Sequence, residues 1–159
     1  MDILSRLSDT EKDQLVDAIP LITALIAGAD GEIDQEEKDW AGKLINIRSF
    51  SNNELLHDFY HQVGLDFENK LEAIINALPS TQADRNNFLS EKLALLNPIL
   101  AKLQNKVAFN IYKDFKSFAR HVAKASGGFL RFGAISSEEK ALISLPMLDA
   151  IDYEEEESL

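Results

Sequence analysis

The sequence predicts a single all-α domain, and three observations support this. Apolar residues recur at spacings of three and four in nearly every segment, which is the period of an amphipathic helix. No useful length of chain alternates between apolar and polar residues, so strands are not expected. Several segments open on a cap-type residue with Glu three positions later, the pattern of a capping box. We therefore expect about seven helices packed as one bundle.

Composition limits the classes of function. The 159 residues are 45% hydrophobic, which is enough for one buried core. The absence of cysteine excludes disulfides, thiolate metal sites and cysteine nucleophiles. A net charge of −11 argues against nucleic-acid binding, which needs a dominant basic face. No export signal is visible, and the longest apolar stretch, Leu15–Ala29, is too short for a transmembrane segment. A cytoplasmic location is predicted.

The first helix should begin at the capping box formed by Ser8 and Glu11 and run from about Asp9 to Ala18. Pro20 is then expected either to kink this helix or to open a second apolar one through Ala29. Three more helix starts are predicted at Asp34, at Ser51–Glu54 and at Asp66. Their inward-facing residues are Trp40, Leu44 and Ile45, then Leu55, Leu56, Phe59, Tyr60 and Val63, then Leu71, Ile74, Ile75 and Leu78.

The second half of the chain should begin with a long helix from Ser80, bent at Asn97–Pro98. A regular leucine stripe marks its packed side: Leu89, Leu93, Leu96, Leu100 and Leu103. An amphipathic helix is predicted over Val107–Lys124, with a core side made of Ile111, Phe115, Phe118 and Val122. A short last helix should start at Ser136 and end near Pro146.

One acidic stretch, Gly28–Lys38, has a weaker copy 102 residues later at Leu130–Lys140. The two copies share glycine, isoleucine and a Glu-Glu-Lys run at equivalent positions. That spacing is too long for a solenoid repeat. It predicts an internal duplication, with a helix–acidic turn–helix unit near each end of one bundle.

The first acidic stretch is a candidate metal site, because Ca²⁺ and Mg²⁺ prefer several converging carboxylate oxygens. The candidate ligands are Asp30, Glu32, Asp34 and Glu37. A standard EF-hand is rejected, since Ile26 and Gly28 occupy positions that would need side-chain ligands. The alternative is a structural turn in which Gly31 permits the bend while Asp34 and Glu37 form a capping box. That alternative leaves Asp30 and Glu32 without a role.

The run Ala29–Glu37 after an apolar helix, with its second copy, resembles the TerB-like (tellurite-resistance) family over about residues 10–148. This resemblance implies an all-helical domain with an internal duplication and a divalent metal at the acidic turns. It also implies a non-enzymatic role in stress-response or membrane-associated complexes. The second copy departs from the pattern, because Phe132 and Ala134 stand where acids would support a two-sided site.

His57 and His61 lie four apart on a predicted helix and are similar in spacing to a zinc-protease motif. Their helical positions place them on the flank or outer face, and no third ligand is in view. Surface histidines are one interpretation, and a metal-dependent enzyme using both is the other. The enzymatic interpretation requires the two side chains to converge in a concave pocket.

A basic stripe is the other candidate binding feature. Four residues share one face of the Val107–Lys124 helix: Lys113, Lys116, Arg120 and Lys124. It is either an ordinary solvated face or a docking face for an acidic partner or anionic lipid. Phe129 and Phe132, in a glycine-framed segment, form either a core plug or an exposed loop that adds to such docking.

We therefore expect a TerB-like helical domain over residues 1–148 and an acidic, flexible tail over 149–159. The leading functional hypothesis is a non-enzymatic binding domain with a divalent ion at the acidic turn. The rival hypothesis is a metal-free adaptor that docks a protein partner through the basic stripe and the Phe129/Phe132 loop. Peripheral membrane association stays open, and the sequence does not address the oligomeric state.

Overall fold

The computed structural model describes residues 4–28, 35–124 and 137–153, and all the regular secondary structure in these ranges is helical. The helices are α1 (Asp9–Ala27), α2 (Gln35–Arg48), α3 (Glu54–Gly64), α4 (Phe67–Ala77), α5 (Gln82–Ala94), α6 (Leu96–Leu100), α7 (Asn105–Lys124) and α8 (Ser137–Ile143). The predicted all-α bundle is confirmed for these residues. Of the described helices, none is both long and apolar enough to cross a membrane.

Helix α1 lies at the centre of the bundle and contacts every other described helix. All residues from Ile22 to Ala27 are buried, so its second half is enclosed on every side rather than on one stripe. Its start is as predicted: the Ser8 amide donates to Glu11 Oε1 at 3.0 Å, and the Glu11 amide donates to Ser8 Oγ at 3.2 Å. The capping box therefore fixes where the central helix begins.

Pro20 lies inside α1, and the helix continues to Ala27, so the prediction that a second helix opens at Pro20 is wrong. A proline in a helix interior removes one backbone hydrogen bond and crowds the carbonyl four residues earlier. Burial of the apolar residues that follow stabilises the continuous helix against this cost, since the helix carries them into the core.

Helices α2, α3 and α4 all pack against α1. The predicted inward residues of α2 and α3 are buried, except Trp40 and Leu56, which pack partly buried against the core. The side chain of Asn53 caps α3 by accepting from the Leu56 amide at 3.2 Å. Asp66 stands at the predicted cap of α4, but its carboxylate accepts from the Asn69 side-chain amide instead. The three helices are therefore present as predicted, but α3 is capped by Asn53 and not by Ser51, and Asp66 makes no capping bond. The predicted cap of α2, Asp34, lies outside the described residues.

The leucine stripe of α5 and α6 is buried throughout, as predicted. The break in this region falls at Leu95, between the two helices, and not at Asn97–Pro98. Pro98 has no N–H to donate to the carbonyl of Ala94, and its ring would clash with that carbonyl in an unbroken helix. The chain therefore breaks about one turn before the proline, which then occupies the first turn of α6.

After α8 the chain returns to the bundle. Asn97 Nδ2 donates to the Met147 carbonyl at 3.0 Å, and Asn97 Oδ1 accepts from the Asp149 amide at 2.9 Å. Asn105 Nδ2 then donates to the Asp152 carbonyl at 3.1 Å. The expectation that all of residues 149–159 lie outside the domain is therefore wrong for residues 149–153. Residues 29–34 and 130–136, the central parts of the two predicted duplicate turns, lie outside the described residues, and the duplication stays a prediction.

Candidate partner-binding face

Helix α7 has two different sides. Its core side is buried and consists of Ala108, Ile111, Phe115, Phe118, Ala119, Val122 and Ala123. The four apolar positions predicted for this helix are among them, so its orientation is confirmed. At about 100° per residue, the opposite side of the helix is fixed by this orientation.

That opposite side carries only basic charge. Lys113, Arg120 and Lys124 are exposed, and Lys116 is half-buried with its Nζ 5.1 Å from the Tyr112 ring centroid. With the exposed Lys106 they form what we call the basic face: Lys106, Lys113, Lys116, Arg120 and Lys124. The salt bridges found within the described residues all lie elsewhere, at Arg48–Asp114, Lys70–Asp17 and Lys102–Glu11.

The only acid in α7, Asp114, does not neutralise this face because its side chain points inward and is 9% exposed. Its Oδ1 lies 2.6 Å from Arg48 Nη1 of α2, and its backbone carbonyl accepts from the same nitrogen at 3.3 Å. Its charge is therefore balanced inside the bundle. The five cations of the basic face stay uncompensated by their own helix.

Arg48 is the centre of a polar network beneath this face. Its Nη1 also donates to the Tyr60 hydroxyl and its Nη2 to Ser117 Oγ, both at 3.2 Å. The Tyr60 hydroxyl donates in turn to the second carboxylate oxygen of Asp114. The guanidinium carbon lies 5.5 Å from the ring centroids of both Tyr60 and Phe118. Because these residues come from α2, α3 and α7, the network fixes how α7 sits on the bundle.

Burial and nearby charges shift the pKa values of three groups here. Burial raises the pKa of Asp114 above its ordinary value, although the Arg48 guanidinium and the Tyr60 hydroxyl oppose this. Burial, followed by the nearby Asp114 carboxylate, raises the pKa of Tyr60 well above its ordinary value. Partial burial lowers the pKa of His121, and the charges of Arg48, Lys124 and Arg120 lower it further. Two of the three charges that act on His121, Lys124 and Arg120, belong to the basic face.

The Arg48 network was not predicted from the sequence, although part of the signal was present. Asp114 follows Ile111 by three residues and precedes Phe118 by four, so it belongs to the core side of α7. A lone acid at such a position indicates a buried partner of opposite charge. Nothing local identifies that partner as Arg48, which is 66 residues away in the chain.

Three of the four predicted metal ligands, Asp30, Glu32 and Asp34, lie outside the described residues. Glu37 lies in the first turn of α2 and is buried, at 9% exposure, whereas its neighbour Glu36 is exposed. In the part of the chain that is described, no three His, Asp or Glu side chains are grouped to hold a metal ion. The acidic-turn site stays a prediction.

The remaining candidate site residues are two phenylalanines and two histidines. Phe129 and Phe132 lie outside the described residues. His57 and His61 are both exposed, as their helical positions predict. His61 lines a cavity of about 460 Å³ between α2 and the α3–α4 turn, but His57 does not. The structure therefore does not bring the two histidines into one pocket, which the enzymatic interpretation requires.

Comparison with known proteins adds no assignment: no family model, curated protein or solved structure matches this chain.

Proposed function

We propose that this protein is a non-enzymatic binding domain that docks an acidic segment of a partner protein on the basic face. The observation that carries this is the uncompensated row of cations on α7, whose single acid is turned into the core and paired with Arg48. The chain as a whole has a net charge of −11, so this row is a locally positive surface on an acidic protein. Complementary charge of this kind steers association and selects partners.

The shape and charge of the molecule favour a narrow protein segment over a membrane as the occupant. An anionic bilayer is a broad surface, and it repels the excess of acidic residues carried by the rest of the chain. A peptide lying along α7 needs to approach only one helix face. Because charges more than about 8 Å apart are largely screened at physiological ionic strength, such a peptide is affected mainly by the nearby cations.

Charge reversal on the basic face tests this proposal. The triple variant Lys113→Glu/Lys116→Glu/Arg120→Glu should bind a fluorescein-labelled oligoglutamate peptide at least about tenfold more weakly than the native chain. The loss arises because three attractive contacts become repulsive. Fluorescence anisotropy at an ionic strength of about 0.05 M measures it, and added salt should weaken native binding progressively.

The matched control is Lys43→Glu/Lys92→Glu/Lys140→Glu, which changes net charge equally at three exposed lysines on other helices. We expect this control to retain most of the native affinity. Equal weakening in both triple variants would show that only net charge matters and would refute a specific face. If the native chain bound phosphatidylserine vesicles but not the peptide, the basic face would be a membrane-binding surface and the proposed protein partner would be refuted.

A divalent ion at the acidic turn is a second candidate function, proposed on the family resemblance and on the chemistry of the acidic stretch. Ca²⁺ and Mg²⁺ prefer several converging carboxylate oxygens, and this stretch carries Asp30, Glu32, Asp34 and Glu37. Titration calorimetry with Ca²⁺, Mg²⁺, Mn²⁺ and Zn²⁺ should then show binding that Asp30→Asn weakens by about tenfold or more. Glu36→Gln, at the exposed neighbouring carboxylate, is the control. No heat above buffer for any of these ions would remove this candidate.

A further inference from the structure

We infer that this chain carries its own competitor for the basic face: the acidic segment Glu154–Glu157, which follows Tyr153 directly, where that residue packs at the start of the face. The inference rests on the proposed function, because it assigns a regulation to the same site. The segment lies outside the described residues, and the residue that precedes it, Tyr153, is described.

The path of the chain up to residue 153 is set by contacts with α6 and α7. Asn97 holds residues 147 and 149, and Asn105, the first residue of α7, holds the Asp152 carbonyl. The Tyr153 ring then packs on the Phe109 ring, with centroids 6.0 Å apart. The last described residue is therefore placed on α7, near its N-terminal end.

Phe109 belongs to the same face of α7 as the cations. Lys113, Lys116 and Arg120 follow it by four, seven and eleven residues, which are spacings that repeat one side of a helix. With a rise of about 1.5 Å per residue, they lie about 6, 10 and 17 Å further along the helix axis. The anchor of the acidic segment therefore stands in line with the basic face.

The reach of the segment matches these distances. Four residues in extended conformation span about 13 Å, at roughly 3.3 Å each, so Glu154–Glu157 can run from Tyr153 past Lys113 and Lys116. They supply four consecutive acids, with no basic residue among them, and the charged residues of the face are all basic. The charges are complementary in sign and comparable in number.

The short tether makes the contact effective even though single exposed ion pairs are weak. A segment attached a few residues away acts at an effective concentration in the millimolar range. It therefore competes with a weakly binding acidic partner but yields to one that binds more tightly. We therefore expect the segment to occupy the basic face part of the time, so that a partner must bind tightly enough to displace it.

The test is the variant Glu154→Gln/Glu155→Gln/Glu156→Gln/Glu157→Gln in the full chain. It should bind the labelled oligoglutamate peptide about three- to tenfold more tightly than the native chain, because the internal competitor is lost. The matched control, Glu54→Gln/Asp58→Asn/Glu68→Gln/Glu72→Gln, changes net charge equally at exposed positions on α3 and α4 and should change affinity by less than about twofold. Equal tightening in both variants would overturn the inference.

A second readout needs no partner. Amide NMR shifts of Lys113, Lys116 and Arg120 should differ between the native chain and the segment variant, and this difference should disappear in about 1 M salt. If the shifts differ but neither chain binds the peptide, the internal contact stands and the proposed function fails. If both bind equally and the shifts coincide, the proposed function stands and the internal competitor is refuted.

Discussion

Replacing Arg48 by alanine is expected to lower the free energy of unfolding by about 3–5 kcal/mol, the largest effect we expect from a single surface-accessible charge. The guanidinium is 14% exposed and makes the 2.6 Å ion pair with Asp114 as well as contacts to Tyr60 and Ser117. Its removal leaves the Asp114 carboxylate buried without its counter-ion, and the cost of that desolvated charge exceeds the value of the contacts themselves. Urea unfolding followed by circular dichroism measures the loss.

Two further variants test whether the unpaired Asp114 carboxylate causes this loss of stability. Lys102→Ala breaks the Lys102–Glu11 pair, which is also 2.6 Å long, but Lys102 is 55% exposed, so we expect a loss of only about 0–1 kcal/mol. The double variant Arg48→Met/Asp114→Leu removes both charges and should recover much of the stability lost in Arg48→Ala. A loss under about 1 kcal/mol for Arg48→Ala would show that the network contributes little to the position of α7.

Replacing Leu93 by alanine is expected to cost about 2–5 kcal/mol. Leu93 is completely buried and belongs to the leucine stripe of α5, which packs against the central helix α1. Truncation removes the transfer energy of its methyl and methylene groups. It also leaves a cavity that the surrounding close-packed side chains fill only in part. The midpoint of urea unfolding should fall with an unchanged slope, since the surface exposed on unfolding is nearly the same.

Leu95 supplies the matched control two residues later. It is 54% exposed at the break between α5 and α6, so Leu95→Ala should change stability by no more than about 0.5 kcal/mol. The two substitutions delete the same atoms from the same stretch of chain and differ in burial. Similar losses at both positions would contradict the placement of the leucine stripe in the core.

The helices and their buried sides could be predicted from sequence because both depend on neighbours within one or two turns. The capping box of Ser8 and Glu11 and the leucine spacing of α5 are complete within a few residues of chain. The core side of α7, and with it the basic face opposite, follows from the same local period. These features required no knowledge of what each helix packs against.

Other features depended on contacts between distant parts of the chain. Pro20 indicated a break, yet α1 continues because the enclosing helices bury the residues after it. Asp149 and Asp152 indicated a solvated tail, yet their backbone groups are bonded to Asn97 and Asn105. In both cases tertiary burial or hydrogen bonding outweighed the local conformational preference on which the prediction was based.

By itself, the sequence determined the all-α class, the course of most helices and the existence of a basic face on α7, because local periodicity and capping set all three. Only the tertiary structure decided that Asp114 turns inward to Arg48, so that the single acid of α7 does not neutralise the face. It also decided that Tyr153 rests on Phe109, at the start of that face. The physical reason is that both contacts join residues more than forty positions apart, whose meeting depends on how the whole bundle closes around α1.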